Sequence, residues 1–174
     1  MIVLTSEQRR EKIVASIEGS NVPLTGTHLA KLYLVSRQII VQDIAILRAA
    51  GYEIIATPQG YMMMRYNQIQ RITRVVAVKH SHNDIEDELI AIVELGGRIL
   101  DVMIEHPVYG EFKARLMLSS ISDIRSFLFR MEKEDAEPLS VLTEGVHLHT
   151  IEADSVDILD KIEEVLQEKG YLLK

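Results

Sequence analysis

The sequence predicts an α+β protein in which three helices and a hairpin precede an alternating βαββαβα segment. Three helical patterns occupy the first fifty residues, and two β-type segments flank a Pro-Gln-Gly turn directly after them. Beyond a polar bridge at 67–70, strand-like and helical patterns alternate to the last residue. We therefore predict two domains, 1–66 and 71–174.

The first domain opens with helices that have apolar residues at helical spacing and a Ser or Thr near the start. They are predicted at 5–18, 27–34 and 36–51, and the hairpin follows at 52–64. Three helices followed by a hairpin make a winged helix-turn-helix. One local departure is Leu34, which stands at a turn position where Gly is favoured for its positive φ.

The second domain has the order βαββαβα. Its strands are predicted at 71–80, 98–107, 110–120 and 145–153, and its helices at 83–97, 120–134 and 155–170. This order predicts an antiparallel four-stranded sheet with helices on one face, an open-faced sandwich. In common arrangements of this topology, the first and fourth strands are antiparallel neighbours. The end of the first strand then lies beside the start of the fourth.

Composition limits the classes of function. None of the 174 residues is cysteine, which excludes disulfides, thiolate nucleophiles and Cys-ligated metal sites and leaves His, Asp and Glu as strong metal ligands. No run of eighteen apolar residues occurs, and the first residues do not resemble a secretory leader. We expect a soluble cytoplasmic protein with no membrane partner.

The net charge of −7 is unevenly distributed. Residues 1–66 carry seven Lys and Arg against five Asp and Glu, whereas residues 67–174 carry twelve against twenty-one. The difference indicates two modules with different partners. Aromatic residues are scarce and Trp is absent, which disfavours base stacking on single strands. Any nucleic-acid partner is therefore expected to be duplex DNA.

The third helix is the predicted DNA-recognition element. Ser36 starts it, and the first half of such a helix reaches base edges in the major groove, where Arg suits guanine and Gln suits adenine. The alternative interpretation is a packing unit or a protein-interaction domain, because fold does not determine function. The candidates for base contacts are Arg37, Gln38 and Gln42, and those for phosphate contacts are Lys31, Arg65 and Arg48.

Three histidines and a glutamate of the second domain form a candidate metal site. His80 ends the first strand, and His147 and His149 point to the same face of the fourth. Glu88 lies in the helix between them, at the edge of the face turned toward the sheet. This set suits Zn, Ni, Fe or Mn. The alternative is that these are surface or hydrogen-bonded core histidines and that Glu88 belongs to a solvated acidic helix start.

Two further residues lie at the turn between the second and third strands. His106 and Tyr109 could contact a bound small molecule, or they could only stabilise the turn. Neither a nucleophile–base pair nor a phosphate-binding Gly-rich loop is evident, which disfavours an enzyme. A metal site without an acid or base can serve recognition instead.

Four segments of the chain together resemble one family. The first resembles the winged helix-turn-helix shared with bifunctional biotin ligase repressors, and the other three resemble a three-histidine regulatory domain. The segments are LAKLYLVSRQIIVQDIAILRAAGYEIIATPQGYMM, VKHSHNDIEDEL, IEHPVYGEFKARLMLSS and LTEGVHLHTIEA. Together they are similar to the niacin-responsive transcriptional repressors of NAD biosynthesis and niacin uptake genes, and the resemblance spans essentially the whole chain.

The resemblance implies a homodimer that binds operator DNA when nicotinic acid, as co-repressor, occupies the second domain near a divalent metal. The implied metal is nickel or zinc, and the implied ligands are His80, Glu88, His147 and His149. Two alternatives stay open. One is a metal-dependent enzyme tethered to a DNA-binding domain, and the other is a regulator for which the ion itself is the signal.

Overall fold

A computed structural model describes residues 4–64 and 71–174 of the chain. The chain divides into two units, Met1–Asn67 and Gln68–Lys174, each with its own hydrophobic core. Helices and antiparallel sheets occur in the described residues, which confirms the predicted α+β class. None of the described helices has the length and apolar character that crossing a bilayer requires.

The first unit is a winged helix-turn-helix, as predicted. Its helices begin within one residue of the predicted starts, because Thr5, Thr25 and Ser36 each accept a hydrogen bond from the backbone N–H three residues later. Apolar residues from all three helices and the first strand of the hairpin form its core. The elements are α1 (Ser6–Gly19), α2 (Gly26–Tyr33), α3 (Arg37–Ala49), β1 (Ile54–Thr57) and β2 (Gly60–Met63).

A buried ion pair, which the sequence did not lead us to expect, ties α3 to α1. Asp43 is only 3% exposed, on the inward face of α3 beside Ile40 and Ile44. Its carboxylate accepts a hydrogen bond from Arg9 Nε at 2.6 Å and lies 3.5 Å from Arg10 Nη1. Because an unpaired charge is costly to bury, this contact favours one placement of α3 against α1.

Leu34 has the backbone conformation that its position requires, at a cost. Its φ of 55° and ψ of 42° are left-handed, and its side chain is 72% exposed, so burial of that side chain offsets little of the strain. We expect Leu34→Gly to stabilise the first unit by about 0.5–1 kcal/mol, since glycine removes the Cβ penalty but has more freedom when unfolded. Thermal unfolding of Leu34→Gly and of Leu34→Ala, which keeps the Cβ, checks this. An equal gain in stability for both variants would contradict the backbone explanation.

The second unit has the predicted βαββαβα order. Each helix follows a strand or a hairpin. A short 3₁₀ turn precedes α4, and a second one precedes the last strand, β6. The elements are β3 (Ile72–Lys79), α4 (Ile85–Glu94), β4 (Arg98–His106), β5 (Gly110–Leu118), α5 (Ile121–Lys133), β6 (Val146–Ala153) and α6 (Val156–Glu168). They form an antiparallel sheet in the order β3-β6-β4-β5, and one core lies between this sheet and the three helices.

The neighbouring positions of β3 and β6 determine where the histidines lie. The two strands pair antiparallel, with Val78 opposite His147 and Val76 opposite His149. The predicted adjacency of the first and fourth strands of this domain is therefore confirmed. Val76 and Val78 are buried in the core, so the two histidines share the face that the helices cover.

Candidate functional site

Three histidine side chains converge on one carboxylate beneath the helices. His80 lies one residue beyond β3, Glu88 lies in the first turn of α4, and His147 and His149 lie in β6. From Glu88 Oε2 to the three Nε2 atoms the distances are 2.7 Å for His80 and 3.5 Å for the other two. The structure thus brings together all four residues singled out from the sequence.

Glu88 points inward because of its place on α4. Ile85, Leu89 and Ile92 of the same helix are buried in the core, and Glu88 lies one turn after Ile85, so the helix turns it toward the sheet. Its side chain is 1% exposed. The acidic run around it is solvated, as its composition indicates, but this one residue is not.

Backbone carbonyls fix the orientation of all three imidazoles. The Nδ1–H groups of His80, His147 and His149 donate to the carbonyls of Ser81, Gly145 and Asp101, at 2.8, 2.9 and 2.7 Å. A carbonyl can only accept, so the proton is on Nδ1 and a neutral ring keeps its Nε2 lone pair. Hydrogen bonds of this kind set the tautomer and the ring direction of metal-ligating histidines.

A β-bulge, which the sequence did not reveal, supplies one of these carbonyls. The register of β4 shifts between Ile99 and Asp101 against both of its neighbouring strands. The buried Asp101 carboxylate accepts a hydrogen bond from the Thr150 N–H at 3.2 Å and forms an ion pair with Lys113 Nζ at 2.9 Å. These contacts hold the bulge, and with it the carbonyl that His149 uses. An aspartate within an apolar strand was the only available signal.

The electrostatics of the cluster favour an ionised glutamate. Burial alone would raise the pKa of Glu88, but the charge of His149 and hydrogen bonds from His147, His149 and His80 hold that pKa well below its ordinary value. Burial lowers the pKa of His80 and His149, but Glu88 more than compensates and raises both. The cluster thus contains a buried, negatively charged carboxylate surrounded by imidazoles, which can bind protons or metal.

The donor atoms of His80, Glu88 and His147 lie close enough together to fit a divalent metal, and His149 Nε2 lies 3.5 Å from the carboxylate oxygen Oε2 of Glu88. Three imidazole nitrogens and a carboxylate oxygen are donors that zinc and nickel accept. Glu88 Oε1 is buried, and among the described residues it has no hydrogen-bond partner. An orphaned buried carboxylate oxygen is costly, and coordination to a cation would satisfy it. The described residues His80, Glu88 and His147 are close enough to hold one ion between them.

We expect metal binding to tighten as the pH rises from about 6 to 8. In the metal-free protein the raised pKa values of His80 and His149 keep protons on the rings that metal must displace. Each displaced proton makes affinity rise up to about tenfold per pH unit below the raised pKa. Competition with a chromogenic chelator at several pH values measures the metal affinity. The control is a substitution of the exposed His82, His82→Ala, which should leave this pH dependence unchanged. A pH-independent affinity would contradict it.

A small apolar cavity lies beside the cluster. Its volume is about 180 Å³, and Glu88, His147 and His149 form part of its wall. Ser140, which is 8% exposed, and Glu137 contribute polar groups from the segment before β6. The remaining wall is largely apolar, including Ile85, Leu89, Val102, Leu116, Phe127 and Leu139. The segment around residue 140 was not singled out in the sequence, because nothing in its composition marks a cavity wall.

His106 and Tyr109 are not part of this cavity wall. His106 ends β4, and its Nδ1 accepts hydrogen bonds from the backbone N–H groups of Val108 and Tyr109 at 3.2 and 3.3 Å. The Tyr109 ring packs 5.1 Å from the imidazole and is 73% exposed. Of the two roles considered for these residues, stabilising the turn is the one that this geometry matches.

The described residues of the predicted DNA-binding set lie on the surface of the first unit. Ser36 is the N-cap of α3 and accepts from the Ile39 N–H at 3.3 Å. The exposed residues in or beside α2 and α3 include Lys31, Arg37, Gln38, Gln42 and Arg48. Arg65, predicted to contact phosphate, lies outside the described residues.

Comparison with known proteins supports both halves of this description. An HTH domain model matches residues 9–62, and a 3H domain model matches residues 73–174. The chain is 45% identical over 168 residues to a protein of Thermotoga maritima named "Probable transcription repressor NiaR", covering 97% of this chain and 95% of that protein. It is 40% identical over 173 residues to the "Transcription repressor NadR" of Bacillus subtilis, covering 98% and 96%.

These relatives are named as transcription repressors rather than enzymes, in agreement with the regulator that the sequence predicted. The matches extend over nearly the full length of each protein, and the HTH domain implies DNA as a partner. They confirm the family resemblance of the four sequence segments. This chain belongs to the NiaR/NadR family of DNA-binding transcription repressors, with an N-terminal HTH domain and a C-terminal 3H domain.

Proposed function

We propose that this chain represses genes of NAD biosynthesis and niacin uptake as a homodimer, with nicotinic acid as its co-repressor. Residues 1–66 bind duplex operator DNA, and residues 71–174 bind the co-repressor beside a divalent metal, nickel or zinc. The observation that carries the proposal is the convergence of three imidazole Nε2 atoms on the buried Glu88 at the wall of an apolar cavity.

The residues that would hold the ion are His80, Glu88, His147 and His149. The Nδ1–H hydrogen bonds of the three histidines and the pairing of β6 keep the Nε2 atoms directed at one point. When bound, the ion supplies a Lewis-acid position that a carboxylate or a ring nitrogen can occupy. The protein's part is to orient the donors and to exclude bulk water from them.

The cavity favours a small, flat, mostly apolar ligand. Its volume of about 180 Å³ is below the roughly 300–1,000 Å³ of pockets that take drug-sized molecules. A single aromatic ring fits such a space, and Phe127, Leu139 and Val102 are suitable neighbours for its faces and edges. A pyridine carboxylate combines this ring with two groups that bind metal.

Recognition of operator DNA is assigned to α3, which presents Arg37, Gln38 and Gln42 to solvent. If nicotinic acid binds better to the DNA-competent arrangement of the dimer, operator binding and ligand binding strengthen one another by linkage. The expected coupling lies in the usual range of about 5- to 150-fold.

A fluorescence anisotropy titration tests the proposal. The probe is a labelled duplex from the promoter of a niacin-uptake gene of the same genome, mixed with zinc-loaded protein. Nicotinic acid at saturation should tighten binding at least about fivefold, and nicotinamide should not. No response to either compound would reject the proposal. In a parallel titration of metal-stripped protein, a full gain in affinity from zinc alone would favour a sensor of the ion instead.

A further inference from the structure

The two candidate ligands outside the sheet need support that the sheet does not provide. His149 lies within β6 and is paired on both sides, opposite Val76 and Val102. His80, in contrast, lies beyond the last β3–β6 pair, which is Lys79 with Val146. Glu88 comes from a helix turn. Contacts other than strand pairing must therefore fix the position of His80 relative to Glu88.

The segment after α6 contacts His80 and the residue that precedes Glu88. The Tyr171 ring packs against the His80 ring, with centroids 5.2 Å apart and planes inclined by 60°. The Tyr171 hydroxyl donates to Asp87 Oδ2 at 2.8 Å, and Asp87 is the residue immediately before Glu88. One side chain thus contacts the first ligand directly and the immediate neighbour of the second.

The backbone fixes Tyr171 in this place. The Lys79 N–H donates to the Tyr171 carbonyl at 2.8 Å, and the Leu173 N–H donates to the Ala77 carbonyl at 2.8 Å, so the tail pairs with the free edge of β3. The Tyr171 N–H donates to the Leu166 carbonyl at 2.9 Å, which anchors the tail to the last turn of α6. Tyr171 is therefore rigidly placed between α4, α6 and β3.

The phenol remains a donor at neutral pH. Burial and the hydrogen bond to Asp87 raise the pKa of Tyr171 to about 12. Asp87 also accepts from Lys169 Nζ at 2.9 and 2.8 Å, through an ion pair that is largely exposed. Lys169 is thus a second partner of Asp87, beside Tyr171.

We infer that Tyr171 is a positioning residue for the metal centre, which sets the placement of His80 against Glu88 through its ring and its hydroxyl. The inference rests on the proposed metal-binding function. It assigns a role in metal affinity to the C-terminal segment, which lies far along the chain from every ligand except those of β6.

Metal affinity of full-length variants tests this, measured for Zn²⁺ by chelator competition and for Co²⁺ by its visible absorption. Tyr171→Ala should bind Zn²⁺ about 10- to 100-fold more weakly, the usual loss for an outer partner of a metal ligand, and its Co²⁺ bands should shift. Tyr171→Phe keeps the ring on His80 and should lose only about two- to tenfold, the worth of one hydrogen bond. The shift of the Co²⁺ bands in folded Tyr171→Ala is the readout that a role in folding the tail alone would not change.

Lys169→Ala is the matched control, because it removes the other partner of Asp87 without a contact to His80. It should change affinity less than about twofold, as expected for an exposed ion pair. Wild-type affinity and unshifted Co²⁺ bands in Tyr171→Ala, or an equal loss in Lys169→Ala, would overturn the inference. Should Tyr171→Ala not fold by circular dichroism, the Tyr171→Phe and Lys169→Ala comparison decides: only a loss confined to Tyr171→Phe supports the inference. Failure of the wild-type protein to bind either ion would instead reject the proposed metal site.

Discussion

Glu88→Gln is expected to reduce zinc affinity by more than about 100-fold and to abolish the response of DNA binding to nicotinic acid. Glutamine keeps the size of the side chain but removes the negative charge that the three imidazoles surround. Losing an outer-shell partner costs about 10–100-fold in metal affinity, so losing a direct carboxylate donor should cost more. Chelator competition and operator anisotropy measure the two losses. Glu86→Gln, exposed on the same helix turn, is the control and should bind as wild type.

The same substitution should change how the stability of the metal-free protein depends on pH. In the wild-type protein Glu88 raises the pKa of His80 and His149 above 6.5, so their stabilising effect is complete below pH 6.5 and is lost as pH rises through the raised values. Glu88→Gln removes this effect. The variant should therefore melt lower than wild type near pH 6, and the difference should narrow as the pH rises through the raised pKa values of His80 and His149.

Melting curves of metal-free wild type, Glu88→Gln and Glu86→Gln at pH 6 and 8 check this expectation. A constant difference between wild type and Glu88→Gln would show that the carboxylate does not interact with protonated imidazoles. Wild-type zinc affinity in Glu88→Gln would exclude Glu88 as a ligand and leave it as a buried partner of the histidines.

The sequence was sufficient for the fold and for the meeting of the histidines, because both depend on periodic patterns. The two-residue spacing of His147 and His149 fixes their common face, and the βαββαβα order brings His80 beside them. These features depend on strand geometry alone. Glu88 followed from helical spacing in the same way.

The features that sequence did not reveal depend on contacts between distant residues without periodicity. The bulge at Asp101, the ion pair of Asp43 with Arg9 and the contact of Tyr171 with His80 each join positions more than thirty residues apart. A single aspartate or tyrosine in the sequence is compatible with many different contact partners in the folded protein. Only packing selects among them.

Gly145 shows how such a contact affects the site, and Gly145→Ala should weaken zinc binding at least about tenfold. Its φ is +89°, and a Cβ built on it would lie 2.4 Å from the His80 carbonyl oxygen. The Gly145 carbonyl accepts the His147 Nδ1–H at 2.9 Å, so two candidate ligands depend on its backbone. Real Cβ atoms keep at least 3.0 Å from such an oxygen, whereas metal–ligand distances tolerate only about ±0.2 Å.

Gly96→Ala is the control that separates the steric clash with the His80 carbonyl from the strain of the left-handed backbone. Its φ of +92° nearly equals that of Gly145, but the nearest atom to an added Cβ is Ile158 Cδ1 at 3.9 Å, and no metal-ligand candidate is near. Both variants should lose about 1–2 kcal/mol of stability from the left-handed conformation. Only Gly145→Ala should also lose zinc affinity and shift the Co²⁺ absorption, measured at a temperature where both are folded. Equal zinc affinities in the two variants would mean that the segment before β6 can move without moving His80 or His147.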